Sequence, residues 1–427
     1  MTIRLIFHAV LALFLSQPML AGAVDSQSNA ISALSADATL DEISSLAKTG
    51  NAEAQFQFAK RYDFGQGVTQ NDKQAFYWYR KAAEQNNKWA QNNLGVMYCT
   101  GRGIAKDLAQ AVFWYRKSAE QGLAVAQKNL GNMYAQGEGV AQDYEQSVFW
   151  LRKAADQNFA NAQNDLGNKY AQGQGVARDD AQAVYWYRKA AEQGNVLGEY
   201  NLGIDYDIGR GVNQDDAQAV IWYRKAAEQG HDQAQNSLGK MYQNGRGIAQ
   251  DDAQAMFWYR KAAAQGNAYA QSNIGWMYAN GRGVAQDYVE AVAWYRKAAE
   301  QGGALGQSNL GGMYDNGTGV AQDKKEAVYW YRKAAEQGFS GAQNNLGAMY
   351  IDGTGVPKDY AQAIYWYRKA AQQGNPNAQI NLGDLYVRGA GVPKDMQQAI
   401  QFYQQAAAQT ADPAARQKAQ ARLNSLQ

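Results

Sequence analysis

The chain has 427 residues, 41 of them Lys or Arg and 39 Asp or Glu. The two signs are mixed along its length, which leaves no basic arm for nucleic acid and no acidic tail. One cysteine, Cys99, and two histidines exclude an intramolecular disulfide framework and a metal site of His and Cys, and leave little for acid–base catalysis.

The first element is an address. Arg4 precedes an apolar run from Leu5 to Leu15, Pro18 breaks it, and Ala21-Gly22-Ala23 offers small residues for cleavage. Residues 1–23 therefore read as a signal peptide cut after Ala23. The run is too short to span a bilayer, and no later stretch is apolar enough to do so. The mature chain is expected to carry no transmembrane segment and to be exported, either to the periplasm or out of the cell. Residues 24–38 read as a disordered leader. Leu40 to Lys48, closed by Gly50, reads as an orphan helix, so residues 39–50 form an N-terminal cap.

Residues 51–410 are one unit written ten times. The motif G-x-G-[VI] begins at Gly65, Gly101, Gly137, Gly173, Gly209, Gly245, Gly281, Gly317, Gly353 and Gly389, each 36 residues after the last. A fixed period of this length means a solenoid. In repeat 2, Ala90, Leu94, Met97 and Tyr98 carry the apolar spacing of a first helix, helix A. It ends at Gly101, where glycine permits a left-handed cap. Asp107 with Gln110 then reads as a capping box, recurring from Asp143/Gln146 to Asp395/Gln398, with Asn71/Gln74 in repeat 1. Helix B follows through Ala111, Trp114, Tyr115 and Ala119 and stops at Gly122, a slot that repeats 1 and 3 fill with Asn86 and Asn158. Asp412-Pro413 opens a last polar helix, so residues 411–427 form the C-terminal cap.

Several motifs have plain structural readings. The glycines join two helices without the third glycine or the lysine of a phosphate-binding loop. The Arg-Lys pair that recurs from Arg80-Lys81 to Arg368-Lys369 has acidic residues four after most of its arginines, and reads as a solvated helix face rather than a nucleic-acid surface. The nine Trp-Tyr or Trp-Leu pairs read as filling between stacked repeats. His231 reads as a turn or surface residue and Cys99 occupies a variable slot, so no catalytic residue, metal ligand or cofactor site is expected.

The pattern A-x-x-x-L-G-x-x-Y-x-x-G-x-G-V-x-x-D-x-x-x-A-x-x-W-Y-x-K-A-A-x-x-G resembles the Sel1-like repeat, a relative of tetratricopeptide repeats. The resemblance covers roughly Asn51 to Thr410. It implies an all-α fold, a right-handed α/α superhelical solenoid with helix A lining a concave inner surface. It also implies a non-enzymatic scaffold that binds a protein or peptide, in envelope regulation, signalling or host contact; the chain is expected to be a monomer. A cysteine-rich branch of the family has β-lactam binding and hydrolase activity attributed to it, and the alternative is a cell-wall or β-lactam-binding module with weak hydrolase activity. This chain lacks that branch's cysteines.

Slots that hold the fold repeat, whereas slots that read a partner are free to differ. The resemblance implies that helix A faces the groove at positions two and five before its Leu, and two and five after it. These vary strongly: Trp89, Asn92 and Val96 in repeat 2, Asn164 and Asn168 in repeat 4, Tyr200 and Ile204 in repeat 5, Asn236 and Lys240 in repeat 6, Tyr269 and Trp276 in repeat 7. Rings beside amides suit an extended polypeptide. The other reading is that these side chains simply cover the next repeat.

Overall fold

The computed structural model describes residues 38–409 and 412–426. The expected signal peptide, and the expected leader apart from Ala38, lie outside the described residues. Among those described there are 22 helices and no strand. In chain order they are α1 (Leu40–Lys48), α2 (Ala52–Phe64), α3 (Asp72–Glu84), α4 (Lys88–Thr100), α5 (Leu108–Glu120), α6 (Ala124–Gln136), α7 (Tyr144–Asp156) and α8 (Ala160–Gln172). They continue as α9 (Asp180–Glu192), α10 (Val196–Ile208), α11 (Asp216–Glu228), α12 (Asp232–Asn244), α13 (Asp252–Ala264), α14 (Ala268–Asn280) and α15 (Tyr288–Glu300). The last are α16 (Ala304–Asn316), α17 (Lys324–Glu336), α18 (Ser340–Asp352), α19 (Tyr360–Gln372), α20 (Pro376–Arg388), α21 (Met396–Ala407) and α22 (Pro413–Asn424). Even numbers from α2 to α20 are the A helices of the ten repeats, and odd numbers from α3 to α21 the B helices. The paired helix-turn-helix arrangement is that of an α/α solenoid. Two compact units divide inside α5, between Trp114 and Tyr115.

In the N-terminal unit, α1 starts at a full capping box: the Thr39 hydroxyl accepts from the Glu42 amide, and the Glu42 carboxylate accepts from the Thr39 amide at 2.8 Å. Its apolar side, Ile43 and Ala47, packs on Ala54 and Phe58 of α2. Phe56, Tyr79, Leu94 and Met97 fill the next layer.

The C-terminal unit repeats one joint, best seen in repeat 6. Helix α12 ends at Gly245, whose φ of 64° satisfies the left-handed cap. Two residues on, a Cβ at Gly247 would collide with the carbonyl oxygen of Asp216, in the B helix of the preceding repeat. The second glycine of the motif therefore sets how closely neighbouring repeats stack. Asp251 then closes the turn twice: its amide donates to the Tyr242 carbonyl at 3.0 Å, and its side chain accepts from the Gln254 amide at 2.9 Å. Inside the pair, Gly239 faces the Tyr259 ring so closely that a Cβ would lie 2.6 Å from it. Tyr259 is fully buried with Met256, Ile274 and Met277. Trp258 leaves this layer for the one before, where it packs on Tyr223, Leu238 and Met241. The Trp-Tyr pair thus serves two layers at once. At the far end, Ala415 and Ala419 of α22 pack on Ile380 and Tyr403, and Asp412 caps the helix by accepting from the Ala415 amide at 2.9 Å.

A row of buried glutamines runs beside this apolar core. Gln235 donates to the Ala227 carbonyl at 3.0 Å and accepts from Gln265 of the next turn at 2.9 Å. Gln163, Gln307 and Gln343 make the same pair of bonds. Buried amides paired this way fix register without an unsatisfied dipole.

Candidate functional site

The A helices expose a face whose side chains change from repeat to repeat, and the structure sorts the four slots into two kinds. The slot two before the Leu points into the stack. Asn164 is 2% exposed and accepts from Asn201 of the next repeat at 2.8 Å. Asn236 accepts from Asn273 at 2.9 Å in the same way, and Ser272, Ser308 and Ile380 in this slot are buried. In the N-terminal unit, Asn92 is likewise 2% exposed and bonds Asn93 at 3.1 Å. Asn92 and Asn164 are therefore corrected from groove residues to packing residues. In the C-terminal unit a polar side chain can sit here because the following repeat supplies its hydrogen-bond partner, as for Asn164 and Asn236.

The slot five after the Leu is half-buried and joined to helix B. Asp207 accepts from the Tyr223 hydroxyl at 3.1 Å, and Gln243 from the Tyr259 hydroxyl at 2.5 Å. In repeat 4 the same tyrosine, Tyr187, reaches Asn168 instead, at 2.8 Å. Tyr200 is half-buried: its ring lies 4.5 Å from the His231 ring and 5.9 Å from that of Tyr223. Ile204 is half-buried against the same layer.

The candidates that stay open to solvent in the C-terminal unit lie on α12 and α14. Lys240 and Tyr269 are exposed, Tyr269 at 66%, and Trp276 is exposed at 36%. The Arg282 guanidinium lies 5.9 Å from the Trp276 ring centroid while it grips Asp252 at 2.6 Å. That pairing holds the Asp252 carboxyl below its ordinary range. One turn earlier, Arg246 bridges Asp207 at 2.7 Å and Asp216. These arginines come from the turn after helix A and clamp the preceding repeat, so they hold the floor on which the open rings stand. In the N-terminal unit, Trp89 is exposed and Val96 half-buried on α4.

The remaining chemistry is structural. His231 is the N-cap of α12: its Nδ1 accepts from the Ala234 amide at 3.2 Å, and burial holds its pKa below the ordinary value. A cap in place of the expected turn residue follows from its place just before the helix, where a lone pair can serve an orphan amide. Asp205 is buried beside Arg210 at 2.5 Å, and burial pushes its carboxyl up to about 6. Glu199 takes the place of the repeating buried glutamine, and burial raises it too. Among the described residues, no group of three or more His, Cys, Asp or Glu is placed to hold a metal ion. No described helix is long and apolar enough to cross a membrane.

The repeated helix pair and its glycine-clamped joint define a helical repeat protein. The Sel1 repeat family model matches ten times, from residues 52–87 through 376–410. The chain belongs to the Sel1 repeat family. The chain is 38% identical to c5321, a protective antigen present in uropathogenic Escherichia coli strains that displays an SLR fold, over 91% of both chains with a TM-score of 0.62. It is 32% identical to a Sel1 repeat protein from Oxalobacter formigenes, covering 88% of this chain and 99% of that one, with a TM-score of 0.54. No curated protein matches. The Sel1 repeat is a scaffold fold, and membership supports a role in protein interaction.

Proposed function

We propose that this protein is an exported, non-enzymatic scaffold that binds a protein segment along the A-helix face of repeats 6 and 7. One observation carries the reading. On a frame whose buried slots are repeated, Lys240, Tyr269 and Trp276 stand open and differ from their counterparts in neighbouring repeats. Two rings and an ammonium on a preformed surface suit an extended peptide, because little ordering is lost on binding. Export is supported by the Arg4 to Ala23 segment. It also agrees with a related protein being a protective antigen.

The test is capture from envelope and secreted fractions by photo-crosslinking. Wild type is compared with a variant carrying Lys240→Ala, Tyr269→Ala and Trp276→Ala. All three positions are exposed, so the variant is expected to keep its helicity while losing the crosslinked partner. A partner retained at wild-type yield would move the site off this face.

A further inference from the structure

The B helix of repeat 6 carries a second feature, separate from the open face of α12 and α14. Most B helices show an exposed ring one residue before the Trp: Phe149, Tyr185, Phe257, Tyr329 and Tyr365 in the C-terminal unit are each 46–48% exposed. A lysine four residues on covers each ring, as Lys261 covers Phe257 at 4.7 Å from its centroid. Three residues beyond that lysine the chain places an acid: Asp156, Glu192, Glu228, Glu300 and Glu336. Repeat 6 has Ala264 there, and repeat 9 has Gln372.

At repeat 6 Ala264 lines a shallow cleft between α13 and the Gly283-Val284 turn. Its floor is apolar, with Met256, Phe257, Ala264 and Val284. Its rim is Arg260 and Lys261. Among the described residues no acid forms an ion pair with either cation. Arg260 donates to the uncharged Tyr278 hydroxyl at 3.2 Å, and Lys261 sits between the Phe257 and Trp258 rings. The acid at the start of the helix, Asp252, is taken by Arg282.

We propose that this cleft docks an acidic peptide segment bearing one apolar side chain. The charge of the rim selects the sign of the ligand. The apolar floor, with a pliable methionine and a half-exposed ring, takes the side chain. The cleft spans one helix and one turn, which matches a short peptide.

The full-length protein is titrated against a fluorescein-labelled decapeptide with Glu on both sides of a central Phe, read by fluorescence anisotropy. Ala264→Glu installs the residue that other repeats already carry at an exposed site, so the fold is kept, as far-UV circular dichroism will verify. The variant is expected to bind about tenfold more weakly, as is the same peptide with Gln in place of Glu. The variant carrying Lys240→Ala, Tyr269→Ala and Trp276→Ala is expected to bind like wild type, which separates this site from the one proposed above. Wild-type affinity in Ala264→Glu, equal binding of the Gln peptide, or no binding to folded wild type would each overturn the proposal.

Discussion

Repeats 5 and 6 share one backbone and differ in what they bury. Repeat 6 places Gln235 and Met241 in the interior of its A helix, where repeat 5 places Glu199 and Asp205. Repeat 6 and its neighbour instead spend their unusual residues on the surface, as Lys240, Tyr269 and Trp276. The frame tolerates charge inside at repeat 5 because Arg210 reaches Asp205 and Gln229 donates to Glu199 at 2.8 Å. Departures from the repeat thus come in two kinds. Interior departures bear on stability and its pH dependence, and surface departures are the ones proposed to bear on recognition.

The largest expected effect comes from breaking the shared frame. Tyr259→Ala removes a fully buried ring from the joint of repeat 6 and should cost about 3–5 kcal/mol, seen as a large drop in Tm. Asp205→Met puts repeat 6's interior residue into repeat 5. The folded pKa of Asp205, about 6, lies above its ordinary 3.8, so its favourable contribution is present below about pH 4 and is lost as pH rises through about 6. That loss is on the order of 3 kcal/mol. The variant should therefore be more stable than wild type at pH 7 by about 2 kcal/mol, seen as a higher Tm, with the advantage shrinking at pH 4. Equal Tm shifts at both pH values would remove the buried carboxylate from the account. Glu199→Gln restores the buried amide row and should add about 1 kcal/mol at pH 7, with the same sign of pH dependence because burial raises this carboxyl as well. Tyr269→Ala should change stability by less than about 0.5 kcal/mol in chemical denaturation, since its ring is mostly exposed, and Trp276→Ala by about 1 kcal/mol, since part of its ring is covered.

The frame was legible in the sequence because its signals are local. The capping glycines, the Asp caps, Asn86 and Asn158 at φ of 70° and 63°, and the helix that starts at Asp412 are each specified within a few residues. What the sequence did not disclose are contacts whose two ends lie far apart in the chain. Asn201 with Asn164 and Asn273 with Asn236 span 37 residues, so a slot that looked variable and polar was in fact interior. The arginine row shows the same limit. Arg80 pairs with Glu84 four residues on at 2.7 Å, as helix spacing suggests. Arg152, Arg188 and Arg296 donate instead to tyrosine hydroxyls 18 residues on, at 2.6–2.8 Å. The buried glutamines repeat in the sequence as faithfully as the tryptophans, and that regularity was the available signal for them.

The central claim is that the open A-helix face of repeats 6 and 7 is where a partner is read. Hydrogen–deuterium exchange of the protein with and without its captured partner tests it most directly. The account predicts that partner-dependent protection falls on α12 and α14 and the turns that follow them, with α11 and α13 unchanged. Protection confined to α11 and α13, with α12 and α14 exchanging as in the unbound protein, would contradict it.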